Sequence, residues 1–150
     1  MTLLDPLAGD PIEILLVEDN PGDVRLTEEA LTESKVRNTL HVARDGVEAI
    51  EFLRGRDGNG GGHKPDIILL DLNLPRMNGR EVLATIKADP ELRRIPVVVL
   101  TTSRAEQDIL ETYDLHANCY IVKPVGLDEF ITIVRSVEDF WLSIVRMPPK

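Results

Sequence analysis

Four short apolar runs in this chain end in residues that could do chemistry together. Glu18 and Asp19 follow Ile12 to Val17, and Asp71 follows Ile67-Ile68-Leu69-Leu70. Thr101 and Thr102 follow Pro96-Val97-Val98-Val99-Leu100, and Lys123 and Pro124 follow Cys119 to Val122. Carboxylates gathered in one cleft repel each other unless a cation neutralises them. An oxygen-only ligand set suits a hard ion such as Mg²⁺. A carboxylate beside such an ion can act as a nucleophile and become an aspartyl-phosphate. Lys123 and the ion would then supply positive charge to the phosphoryl oxygens, and Thr101 a hydrogen bond. Each residue alone has a plainer reading. Glu18-Asp19 could cap a helix, Asp71 could simply end a strand, Lys123 could be solvated and Thr101 could be a strand residue. Their joint occurrence at four strand ends is what points to a site.

The elements that must position these residues alternate along the chain. Continuous β-branched runs indicate strands buried on both faces, as in a parallel sheet. A weaker run at Leu40-His41-Val42-Ala43 supplies one more strand. Helical patterns lie between the runs. Asn20, with Pro21 at the first helical position, opens a helix carrying Val24, Leu26, Ala30 and Leu31. Asp45 caps a second with Ala49, Ile50 and Leu53 inward, and Asn78 a third with Val82, Leu83 and Ile86. Ser103-Arg104-Ala105-Glu106 is a capping box for a fourth, which carries Ile109, Leu110 and Tyr113, and Gly126 precedes a fifth. Five βα units predict an α/β, doubly wound, five-stranded parallel sheet. The flavodoxin-like order 2-1-3-4-5 suits five strands and is the order expected, although propensity alone does not fix it. In such sheets ligands gather outside the carboxyl ends of the strands, where the residues above fall. Residues 1–11 are expected to be an N-terminal arm, and 12–147 one domain with an extended last helix.

Composition narrows the function classes. The chain has 150 residues, 43% of them hydrophobic, which suits one domain with a sizeable core. Lys plus Arg number 17 against 26 Asp plus Glu, a formal charge of -9 that disfavours binding to nucleic acid. The single cysteine, Cys119, excludes an intramolecular disulfide and reads as a small buried residue. No basic segment precedes an apolar stretch at the N-terminus, and no run approaches the ~18–20 residues of a membrane span, so a cytoplasmic protein is expected. Gly55 to Pro65 holds five of the ten glycines and reads as a surface loop. No GK[ST] follows it, so it is not a phosphate loop. His41, His63 and His116 show no metal-ligand spacing.

Four blocks, in order, carry a family resemblance. Ile14-Leu15-Leu16-Val17-Glu18-Asp19-Asn20, Asp71-Leu72-Asn73-Leu74-Pro75-Arg76-Met77-Asn78-Gly79, Val98-Val99-Leu100-Thr101 and Tyr120-Ile121-Val122-Lys123-Pro124 resemble the receiver domain of bacterial response regulators. The resemblance implies that Asp71 accepts a phosphoryl group from a phosphohistidine on a sensor histidine kinase. It implies Mg²⁺ held by Glu18, Asp19 and Asp71 and by the Asn73 backbone carbonyl, with Lys123 on the phosphoryl group. It also implies a cis Lys123–Pro124 peptide and a switch in which Thr101 and Tyr120 move together. Two departures stand out: Thr102 occupies a position that usually holds a small residue, flanking access to Asp71, and His116 and Cys119 stand near positions often held by glycine.

The C-terminal segment suggests a partner. A helix from Gly126 to Arg146 would span roughly 30 Å at ~1.5 Å per residue, more than the about 17–20 Å of a short strand. The overhang carries Phe140, Trp141, Leu142, Ile144 and Val145. Apolar groups facing several ways want cover, and Trp is enriched at interface centres. A homodimer through Phe140, Trp141 and Ile144, with help from the fourth helix and fifth strand, is expected. The Asp139-Phe140-Trp141-Leu142 ending, with Glu81-Val82-Leu83 and His116-Ala117-Asn118-Cys119-Tyr120, resembles the response regulators that partner bacterial phytochromes. With no length for an output module after Met147, a stand-alone signalling protein, not a classical enzyme, is expected.

Two other classes share parts of this pattern. A phosphatase of the haloacid-dehalogenase type also uses an Asp nucleophile and Mg²⁺, but Asn73 stands where it needs a second Asp. A flavodoxin-like FMN carrier would need a hydroxyl-rich phosphate loop after the first strand, where Glu18-Asp19 would repel the phosphate.

Overall fold

The computed structural model describes residues 11–32, 37–55, 62, 64–72, 74–101, 119–122, 132, 135 and 136, with the backbone only at 101 and 119–122. Within them the chain runs β1 (Ile12–Val17), α1 (Pro21–Thr32), β2 (Asn38–Ala43), α2 (Gly46–Arg54), β3 (Ile67–Asp71), α3 (Gly79–Ala88), β4 (Val97–Thr101) and β5 (Cys119–Val122). The five strands form one sheet of order β2-β1-β3-β4-β5, and every pairing is parallel. This is the expected topology. The strand at Leu40–Ala43 extends back to Asn38.

Side chains alternate across a strand, so one run of apolar residues feeds two cores. Leu15 and Val17, Ile68 and Leu70, and Val97 and Val99 face one side, with Ala49 and Leu53 of α2 and Val82, Leu83 and Ile86 of α3. Ile12, Ile14 and Leu16, Ile67 and Leu69, and Val98 and Leu100 face the other, with Val24, Ala30 and Leu31 of α1. That double burial is why these strands read as continuous apolar runs. Leu92 and Ile95 close the first core beneath β4, and nothing in the helical periodicity announces them.

Caps set the helix starts. Asn20 Oδ1 accepts from the N–H groups of Gly22 (2.8 Å) and Asp23 (3.1 Å). Asp45 accepts from Glu48 N–H, and Asn78 and Glu81 form a reciprocal capping box. All three are the residues that the sequence singled out. Ser103–Glu106 and the fourth helix lie outside the described residues. Of the fifth, Thr132, Arg135 and Ser136 are helical, and Ser136 Oγ donates to Thr132 O at 3.1 Å.

Candidate functional site

The chain moves from β1 outward to β2, then crosses back to β3 on the other side of β1. The strand order therefore reverses between β1 and β3, and in sheets of this kind ligands bind outside the carboxyl ends of the strands at such a reversal. Register decides what meets there. Val17 pairs with Leu70, so the next residues, Glu18 and Asp71, stand side by side. Asp71 pairs with Leu100, which places Thr101 one residue further along β4. Thr101 in turn pairs with Val122, the residue before Lys123.

Glu18, Asp19 and Asp71 each offer a carboxylate oxygen, and these atoms all lie within 4.8 Å of one another. Glu18 is 1% and Asp71 2% exposed, while Asp19 is open to solvent. Glu18 is held from both ends: its N–H donates to Ala43 O at 2.9 Å, and its Oε2 accepts from Asn20 N–H at 3.2 Å. Buried carboxylates are costly unless their charge is met. Three oxygens at this spacing, two of them sheltered and one facing water, form a set that a hard divalent cation fits while keeping part of its water shell.

The loop between β3 and α3 is folded tightly onto Asp71. Leu72 O accepts from Gly79 N–H at 3.0 Å and from Leu74 N–H at 3.2 Å. A Cβ on Gly79 would lie 2.5 Å from Asp71 O, so no other residue fits there without movement. A second strap joins this loop to the start of α2. The Arg76 guanidinium donates to Asp45 through Nε (2.9 Å) and Nη2 (3.0 Å). The N–H of Glu48, then the Arg76 guanidinium, hold the Asp45 carboxyl below its usual range despite partial desolvation. Sequence reasoning did not find this pair. Arg76 has a positive φ of 63°, a conformation signalled by Asn or Gly rather than Arg.

The structure thus brings together Glu18, Asp19, Asp71 and the backbone of Thr101, with Tyr120 on the neighbouring strand β5. Asn73, Thr102, Lys123, Pro124, Phe140, Trp141 and Ile144 lie outside the described residues, and so does the Lys123–Pro124 peptide. His41 proves more engaged than its spacing suggested. Its Nε2 lies 2.6 Å from Glu13 Oε1, and its ring meets Phe52 at 5.1 Å. The pair spans β1 and β2 away from the carboxyl rim. Among the described residues no helix is long and apolar enough to cross a membrane.

Comparison with known proteins agrees with this geometry. Residues 14–135 match the response regulator receiver domain. Response regulator Rcp1 of Synechocystis sp. is 48% identical over 141 residues, covering 94% of this chain and 96% of that protein. The crystal structure of the Mn²⁺-bound form of Rcp1 superposes with a TM-score of 0.79 at 47% identity, covering 93% of this chain and all (100%) of that one. The phosphorylated cyanobacterial phytochrome response regulator RcpA gives the same TM-score, 0.79, at 52% identity, with coverage of 93% and 100%.

Proposed function

Because this chain belongs to the response regulator receiver domain family, we propose that it is a stand-alone response regulator that takes a phosphoryl group onto Asp71 from a sensor histidine kinase. The observation that carries the reading is the buried Asp71 carboxylate beside Glu18 and Asp19 at the reversal point of the sheet. The P–N bond of a phosphohistidine breaks as a P–O bond forms to an Asp71 oxygen. The imidazole nitrogen keeps the electron pair and takes up a proton. Glu18, Asp19, Asp71 and the carbonyl of residue 73 would hold Mg²⁺. Bound there, the ion supplies positive charge at the phosphoryl oxygens. Lys123 adds a second cation, and the Thr101 hydroxyl a hydrogen bond. Hydrolysis of the aspartyl-phosphate by water resets the protein, with Thr102 flanking the path to Asp71.

The new phosphoryl group shifts a two-state equilibrium, with Thr101 and Tyr120 moving between its states. The kinase is of the phytochrome type, a reading supported by the likeness to the phytochrome response regulator RcpA. Such a partner puts the protein to work in the cytoplasm. A homodimer through Phe140, Trp141 and Ile144, aided by the fourth helix and β5, passes the signal on.

Incubation with Mg²⁺ and acetyl phosphate followed by intact-mass measurement tests the phosphoacceptor. The wild type should gain one phosphoryl group and Asp71→Asn none. An unmodified wild type, or an undiminished adduct on Asp71→Asn, would overturn the reading.

A further inference from the structure

Arg76 lies outside the acidic cluster, yet it governs the loop that leaves Asp71. It is the described non-glycine residue with positive φ, at 63°. An arginine gains nothing locally from that conformation. Its side chain is 59% exposed, and an exposed ion pair adds little to stability. Neither backbone preference nor burial therefore accounts for its placement. What it does is geometric. The guanidinium grips both Asp45 oxygens, and Asp45 is itself fixed by capping α2, with Oδ1 2.8 Å from Glu48 N. The next residues along each loop are in contact too, since a Cβ on Gly46 would sit 2.1 Å from Met77 O. Residues 76–77 are thus bound to 45–46 at two adjacent points. On the other side of the loop, Gly79 is packed against the Asp71 carbonyl. The described residues of this loop are thus strapped at Arg76 and Met77 to the start of α2 and at Gly79 to their own parent strand.

We propose that Arg76, through its double hydrogen bond to Asp45, is a positioning residue for the metal and phosphoryl group, holding the β3–α3 loop in the arrangement that binds the cation. The inference rests on the function proposed above, because that loop contains residue 73, whose carbonyl is there assigned as a ligand. A ligand on a pre-set backbone binds without an ordering cost, whereas a loosened loop must be re-ordered each time. A bidentate guanidinium–carboxylate pair fixes direction as well as distance, which suits this task better than a single contact.

The test is Mg²⁺ titration by calorimetry on wild type, Asp45→Asn, Arg76→Gln and the double variant. Thermal melts in EDTA run alongside. Asp45→Asn keeps an oxygen that caps α2, so it removes the ion pair and spares the helix start. Each single variant should weaken Mg²⁺ affinity about tenfold, the scale of lost outer-shell support. The double variant should be no weaker than the worse single, because one interaction is removed twice. EDTA melts should move little. Mg²⁺ affinity within twofold of wild type in both single variants overturns the inference, whatever the melts show, and so do fully additive losses. A wild type that binds no Mg²⁺ would instead sink the reading of the site itself.

Discussion

Removing the charge of Asp71 should make the metal-free protein more stable and the metal-loaded protein comparatively less so. Two unit charges at 4.8 Å, the outer bound on the spacing of these oxygens, interact by ~3.5 kcal/mol in an effective dielectric of about 20. Asp71 faces two such neighbours, and the Lys123 cation proposed above at this site offsets part of their field. Asp19 is exposed, so solvent and salt screen most of its share. Glu18 is buried, and the hydrogen bond it accepts from Asn20 offsets part of its field. A release of roughly 1–3 kcal/mol on Asp71→Asn in EDTA follows. For a chain of 150 residues, each kcal/mol moves Tm by about 3 °C. The variant should therefore melt roughly 3–9 °C above wild type without metal. Mg²⁺ at a hundred times its Kd adds ~2.7 kcal/mol to the wild type. The variant has lost one of three carboxylates and should gain much less, so the gap closes or reverses. Differential scanning calorimetry in EDTA and in Mg²⁺ reads both arms. If Asp71→Asn is the less stable protein in EDTA and Mg²⁺ raises both proteins equally, the three carboxylates do not share one charge cluster.

Other changes have definite signs. Gly46→Ala should destabilise by about 1–3 kcal/mol, although alanine is the better helix former, because its Cβ would meet Met77 O at 2.1 Å; a urea midpoint at or above the wild-type value would contradict the close fit. Asp45 is held below its ordinary range first by Glu48 N–H and then by Arg76, so its contribution is complete above the unfolded pKa near ~4 and fades as pH falls through the lower folded value. The stability difference between wild type and Asp45→Asn should accordingly be flat above about pH 5 and shrink below pH 4 in urea melts; a difference that grows on acidification would reverse the sign. Trp141→Ala should shift the protein from dimer to monomer in size-exclusion chromatography, and two monomeric samples at high concentration would rule out the proposed interface.

Much of this arrangement is legible before any coordinates, for a physical reason. Strands buried on both faces cannot hide their composition, so β1, β3 and β4 stand out as continuous runs, and the residue after each run marks the rim. Asn20, Asp45 and Asn78 are legible because a helix start needs a side-chain acceptor. The Arg76–Asp45 strap is not, because a contact across 31 positions leaves no periodic trace. The same holds for His41 and Glu13, joined across 28 positions by strand register alone. Leu92 and Ile95 escape notice because they lie in a turn after α3, outside any repeating pattern.

The end of α2 carries a consequence of its own. Gly55, at φ 89°, donates to Glu51 O, and Lys64 Nζ donates to Leu53 O at 3.3 Å. A Cβ on Gly62 would lie 2.3 Å from that same carbonyl. The chain thus departs and returns at one point, like the neck of a drawn bag. Once a neck is closed, lengthening what hangs from it is cheap, at about 0.6 kcal/mol per doubling. This neck also sits at the amino ends of the strands, the far pole from Glu18 and Asp71. It is where a fluorescent tag or a grafted peptide could be carried while the chemistry at the opposite rim goes on undisturbed.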